Sequence, residues 1–216
     1  MGMVTAAEAQ AALPSWRVLL NKVHAVFATG DFATGARFIA GITSLAEAAD
    51  HHPDIDLRYR HVHIRMNSHD VGGLTDRDID LAQQISRLAD DMGIDVRPHC
   101  PMVAEIAIDA VDIPAVMPFW QAVLGYSSDS NSGDPGDTDV VDPAGTGPTV
   151  WFQQMDEPRP QRNRVHIDVH VPHDLADERV SAAIEAGGRL VSDAHAPSFW
   201  VLADAEGNEA CVCRFV

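Results

Sequence analysis

Over the first ninety residues, apolar positions recur at a spacing of two in some stretches and of three to four in others. Residues 16–20 and 23–28 are apolar runs flanking Asn21-Lys22, the pattern of a hairpin. Asp31 can cap a helix in which Phe38, Ile42, Leu45 and Ala49 share a face, and that helix has to end near His52 because Pro53 disfavours helix in its predecessor. Residues 56–59 and 62–67 read as the arms of a second hairpin. Thr75-Asp76-Arg77-Asp78 is a capping-box-like start for the next helix, whose apolar face runs through Ile79, Ala82, Ile85, Leu88 and Met92 and which stops at Gly93.

Between Gly93 and Pro101 the periodicity dissolves into Gly, Asp, Arg and Pro, which places a boundary between a domain over 1–95 and another over 101–216. Beyond it, residues 103–108 resemble residues 164–169. Each is followed by a helical stretch ending in glycine, over 116–125 and 176–187, and then by short strands ending near 150–153 and 209–213. This is the signature of an internal duplication with a period of about 60 residues. Residues 127–147, rich in Ser, Asp, Gly and Pro, read as loop.

Composition narrows the partners. Hydrophobic residues make up 46 % of the 216, enough for a real core. The formal charge of −17, with Lys22 as the single lysine, argues against a nucleic-acid surface. No apolar run approaches the roughly 18 residues needed to cross a bilayer, and Glu8 and Gln10 interrupt any leader-like start. A cytoplasmic protein without membrane partners is expected. The cysteines are Cys100, Cys211 and Cys213, an odd count with two alternating in a strand-like segment, which does not make a disulfide framework.

Titratable chemistry concentrates in Glu47, Asp50, His51, His52, His61, His63 and His69. On a continuing helix Glu47 and His51 would share a face. In a strand over 62–67, Val62, Ile64 and Met66 would point one way and His63, Arg65 and Asn67 the other, with His69 joining the second set if the chain stayed extended. Imidazole, with an ordinary pKa of about 6.5, can give or take a proton near neutrality, and a neighbouring carboxylate can orient it. The plainer alternatives are a polar helix end at His51-His52, a solvated turn at His61, and a metal cluster, although imidazole-rich zinc sites show tighter paired spacing.

The stretch Ala46-Glu47-Ala48-Ala49-Asp50-His51-His52-Pro53, with Tyr59, Val62-His63-Ile64, His69-Asp70, Gly73-Leu74-Thr75 and Asp78, resembles the signature of the pterin-4a-carbinolamine dehydratases over about residues 12–92. The resemblance implies an antiparallel sheet with helices on one face and a homo-oligomer. It also implies a pterin site in which His51, His52 and His69 are catalytic and Glu47, Asp50, Arg77 and Asp78 bind substrate. The implied reaction is loss of water from 4a-hydroxytetrahydropterin, with no cofactor for that step; His52 and His69 would exchange the protons while His51 holds the substrate. Ile55 departs from the tryptophan that some members carry.

The second half resembles the glyoxalase/bleomycin-resistance (vicinal oxygen chelate) superfamily. The residues carrying this are Phe119-Trp120, Leu124-Gly125-Tyr126, Arg164-Val165-His166-Ile167-Asp168, Ala186-Gly187-Gly188, Ala203-Asp204 and Gly207-Asn208-Glu209. It implies paired βαβββ units, so that the whole chain is α+β. In metal-using members the corresponding positions would hold a divalent ion, here at Glu105, Gln153, His166 and Glu209, a set suited to six-coordinate Ni, Fe, Mn or Zn. Trp151, Phe152 and Trp200 read as core or pocket wall. Two other functions stay open at this level. One is a metal-dependent lyase or dioxygenase acting in the second half; the other is a non-enzymatic dimerisation module.

Overall fold

A computed structural model describes residues 2–114, 117, 126–128, 138–157, 165–185, 188–203 and 209–214. Contacts divide the chain into two compact units that meet in sequence between Pro101 and Met102. No helix among the described residues is long and apolar enough to cross a membrane.

The first unit contains α1 (Ala6–Ala12), β1 (Arg17–Leu19), β2 (Lys22–Ala28), α2 (Phe32–Ala49), β3 (Asp54–Arg58), β4 (His61–Met66), α3 (Asp76–Asp91) and β5 (Asp95–Val96). Its strands form an antiparallel sheet in the order β1-β2-β4-β3, with β5 also pairing with β2. The burial of β4 alternates as the sequence parity requires: Val62, Ile64 and Met66 are buried while His61, His63 and Arg65 are half-buried. The apolar face of the sheet meets Phe38, Ile42 and Ala46 of α2 and Leu81, Ala82, Ile85 and Ala89 of α3 in one core, which Trp16 and Phe27 fill edge to face at 5.8 Å.

Local chemistry explains where the elements start and stop, and where expectation slips. The first hairpin turns at Leu20-Asn21, both at positive φ, one residue earlier than the composition suggests. Two-residue hairpin loops of this kind follow the twist of the strands. Asp31 caps α2 through the Thr34 amide at 2.7 Å. The buried position near its end is Ala46, and Ala49 is exposed. Thr75 and Asp78 form the expected capping box. A second capping box, between Thr5 and Glu8, starts α1, a helix that the periodicity does not reveal. The second hairpin turns at Tyr59-Arg60, one residue earlier than expected, so that His61 opens β4 instead of sitting in the turn. Met92 and Gly93, the latter at φ 65°, close α3, and the stretch beyond, expected to be irregular, supplies β5.

The second unit contains β6 (Val103–Ala110), β7 (Ser127–Ser128), β8 (Asp139–Val141), β9 (Val150–Gln154), β10 (Val165–Val171), α4 (Ala176–Glu185), β11 (Arg189–Ser192), β12 (Phe199–Ala203) and β13 (Glu209–Arg214). The eight strands run β11-β12-β13-β10-β6-β9-β8-β7. β6 and β10 are antiparallel neighbours at the centre, and each pairs in parallel with the last strand of its own repeat, β9 or β13. The duplication visible in sequence is thus a doubled sheet. β7 and β8 lie in the stretch expected to be loop. The expected helix over 116–125 falls almost entirely outside the described residues, as do Arg164, Ala186-Gly187, Asp204 and Gly207-Asn208. Phe152 is buried, Trp151 and Trp200 are half-buried, and all three cysteines are free, with Cys211 and Cys213 buried.

Candidate active site

The N-terminus of α3 organises the histidine segment. Asp78, fully buried, occupies the third position of that helix, where the aligned peptide dipoles stabilise negative charge. Its Oδ2 accepts hydrogen bonds from the Thr75 amide at 2.8 Å, from Ser68 Oγ at 2.8 Å and from Thr75 Oγ1 at 3.3 Å. Its other oxygen, Oδ1, lies 2.8 Å from His51 Nε2. His51 is itself only 7 % exposed.

The end of α2 explains how His51 reaches that position. Asp50 takes a left-handed conformation at φ 46°, and the His51 amide donates back to the Ala46 carbonyl, a Schellman-type closure that turns the chain inward. The helix therefore ends before His51. Glu47 does not share a face with it; its carboxylate meets His52 Nε2 at 3.2 Å instead, and both of those side chains are exposed. Asp50, expected to bind substrate, is exposed and makes the turn with its backbone.

His69 also lies differently from the extended reading. The strand ends at Met66 and the chain folds into a turn, closed by the Val71 amide on the Ser68 carbonyl and by the Ser68–Gly73 pair. His69 is exposed on that turn. Its two neighbours are both anchored to α3: Ser68 bonds Asp78, and Asp70 pairs with Arg77. The Arg77 guanidinium holds the Asp70 carboxyl below the ordinary carboxylate range, and the nearby His51 acts in the same direction. Two segments, carrying three histidines between them, thus tie to the first turn of one helix. His51 is the buried member, and His52 and His69 are exposed.

Ser68 and Asp70 are parts of this arrangement that no sequence pattern singles out for the site, and Thr75, expected only as a helix cap, also bonds Ser68. Asp70 and Thr75 stand in the quoted motif, but only the fold shows that the turn is fastened to α3. On the other side of the sheet, His24 Nδ1 and His63 Nε2 are 3.3 Å apart. Burial, then the neighbouring His63, pushes His24 down to about 3, and burial lowers His63 as well.

In the second unit, side chains of β6, β10 and β13 gather on one face. His170 Nε2 lies 2.8 Å from Glu105 Oε2, and His166 lies 3.5 Å from Asp168 and 3.8 Å from Asp109. Asp168 sits opposite Cys211 and Glu105 in register, and His170 sits opposite Cys213. Of the donors expected for a metal, Glu105 is bound to His170, while Gln153 and Glu209 are exposed. Among the described residues, the groups whose donor atoms lie within 4.8 Å of one another are His166 with Asp168 and Cys211, and Asp168 with His170 and Cys213. Of the expected donors, His166 alone belongs to either group.

Comparison with known proteins follows the same division. Residues 3–88 match the family model for pterin 4 alpha carbinolamine dehydratase, and residues 105–213 match that for a glyoxalase-like domain. A protein of Acidobacterium capsulatum, provisionally named pterin-4-alpha-carbinolamine dehydratase, is 41 % identical over 81 residues, covering 38 % of this chain and 88 % of the relative. The chain belongs to both families. A second dehydratase relative, from a Cyanothece species and also provisionally named, is 44 % identical over 77 residues, covering 36 % of this chain and 79 % of its own length. The crystal structure of a transcriptional coactivator/pterin dehydratase from Brucella melitensis is similar at 29 % identity and a TM-score of 0.39, over 41 % of this chain and 99 % of that one. The dehydratase match covers the histidine site, and the glyoxalase-like match covers the doubled sheet.

Proposed function

We propose that the first unit removes water from 4a-hydroxytetrahydropterin to give quinonoid dihydropterin. The observation that carries this reading is the buried His51–Asp78 pair at 2.8 Å, flanked by two exposed histidines in a unit of the dehydratase family. The reaction needs one proton delivered to the departing 4a-hydroxyl and one removed from N5. The C4a–O bond breaks, the N5 electron pair forms the C4a–N5 double bond, and the enzyme ends with the protons it began with. His52 and His69 are the groups free to exchange those protons, because their rings are solvent-accessible. His51, fixed by Asp78, is suited to hold and orient the pterin. Glu47 beside His52 can steady that ring, and Arg77, held by Asp70, lies on the same helix turn as Asp78.

The test is the rate of dehydration of 4a-hydroxytetrahydropterin by the wild-type chain and by His69→Ala. The expected result is acceleration over the spontaneous reaction by the wild type and a fall of about 10²-fold or more in kcat for the variant. An unchanged kcat in His69→Ala contradicts the role given to that residue.

A further inference from the structure

Three carboxylates, Glu105, Asp109 and Asp168, lie half-buried or buried on one face of the eight-stranded sheet, and their ion pairs among the described residues are all to histidines. Asp168 is 8 % exposed, and its Oδ1 is sealed from solvent without a hydrogen bond. His170 is held through Nε2 by Glu105, which leaves Nδ1, also sealed and without a partner. Next to both stands Cys213, buried, directly opposite His170 in the parallel β10–β13 ladder. Buried polar atoms without partners are costly, and a buried carboxylate oxygen without one more so. A cation removes both penalties.

The geometry points to a thiolate-preferring divalent metal site, zinc in the first instance, formed by Asp168, His170 and Cys213, with Glu105 as the carboxylate that orients the His170 ring. Donor atoms of the three residues already lie within 4.8 Å of one another. A carboxylate bonded to the far nitrogen of a ligating imidazole is the usual support of such a histidine, fixing its tautomer and direction. One sulfur, one nitrogen and one oxygen donor match the three-ligand zinc sites that leave a fourth position open. A sulfur donor disfavours Mg and Mn, so the preference departs from the six-coordinate, oxygen-rich set expected from Glu105, Gln153, His166 and Glu209.

The neighbouring group of His166, Asp168 and Cys211 shares Asp168 and is the competing assignment. Both nitrogens of His166 face carboxylates, Nδ1 toward Asp109 and Nε2 toward Asp168, and the Cys211 thiol is bonded to Asp168. Those His166 contacts, at 3.8 Å and 3.5 Å, leave Asp109 Oδ1 and Asp168 Oδ1 without hydrogen bonds, so they do not fix the His166 ring as Glu105, at 2.8 Å, fixes that of His170. Without a cation, burial and the adjacent Asp168 push the Cys213 thiol up to about 12, so metal loading displaces a proton from it.

The experiment uses the full chain, stripped with chelator and reloaded with cobalt(II) as an absorbing stand-in for zinc, with the metal content measured in parallel. The expected result is one ion per chain and a thiolate-to-cobalt charge-transfer band in the wild type. Cys213→Ser and His170→Gln lose the band and weaken zinc binding at least tenfold, while Cys211→Ser keeps both. Circular dichroism reports whether each variant is folded, and His170→Gln carries the test should Cys213→Ser not fold. A wild type without a stoichiometric ion or without the band overturns the proposal. So does a folded Cys213→Ser or His170→Gln that retains the band, or a Cys211→Ser that loses it.

Discussion

His51 and Asp78, 27 positions apart in the chain, meet at 2.8 Å where water is almost excluded, and the contact joins the end of α2 to the start of α3. The same carboxylate caps its own helix and fastens the 68–73 turn, so one side chain positions both the buried histidine and the segment that carries His69. Asp78→Asn replaces one accepting oxygen with an amide that cannot satisfy the same donors. The expected outcome is a loss of about 1–3 kcal/mol in unfolding free energy, measured by urea titration, together with a fall in kcat.

The three histidines separate by burial, and so should their variants. His52→Ala and His69→Ala replace exposed rings and should leave stability within about 0.5 kcal/mol of wild type while lowering kcat by about 10²-fold or more. His51→Ala leaves Asp78 Oδ1 without its partner, so it should reduce both stability and pterin affinity. Parallel melts and steady-state kinetics distinguish the two classes. Equal destabilisation by all three would contradict this division.

Thr75 combines the cap of α3 with contacts to Ser68 and Asp78. Thr75→Ala should cost about 1–2 kcal/mol, and Thr75→Ser, which keeps the hydroxyl, should recover most of it. Retention of full stability by Thr75→Ala would show that the Asp78 network holds without the cap.

His24 makes the first unit sensitive to mild acid. Its folded pKa, near 3, lies below the unfolded value of about 6.5, so the unfolded chain binds the extra proton. The stability it contributes is fully present above pH 6.5 and is lost as pH falls from there toward 3, at up to about 1.4 kcal/mol per pH unit for one proton. Between pH 4.5 and 6.5, above the range where most carboxylates titrate, urea titrations should show a shallower pH slope in His24→Gln than in wild type. His63, lowered by burial, contributes in the same direction and remains in that variant, so the slope should decrease without vanishing.

Much of this architecture was readable from local pattern. Asp31, Thr75 and Gly93 mark helix ends because capping and positive φ demand particular side chains, and the alternation of Val62, Ile64 and Met66 set the inward face of β4. The similarity of residues 103–108 to residues 164–169 revealed two strands that become neighbours at the centre of the second sheet. Where the reading slipped, a short-range rule had been carried across a reversal of the chain. Helical spacing paired Glu47 with His51, but Asp50 ends the helix and hands Glu47 to His52. Strand parity carried His69 onward, but the Ser68 turn intervenes. Cys213 and His170 were invisible as a pair, because they become neighbours only through the parallel register of β10 and β13, which no spacing within either segment encodes.

The most direct measurement compares the dehydration rate of 4a-hydroxytetrahydropterin with the purified full chain present and absent, at neutral pH, with Asp78→Asn alongside. Clear acceleration by the wild type, saturating with pterin concentration and strongly reduced in Asp78→Asn, is the predicted result. A wild-type rate equal to the spontaneous one would contradict the account.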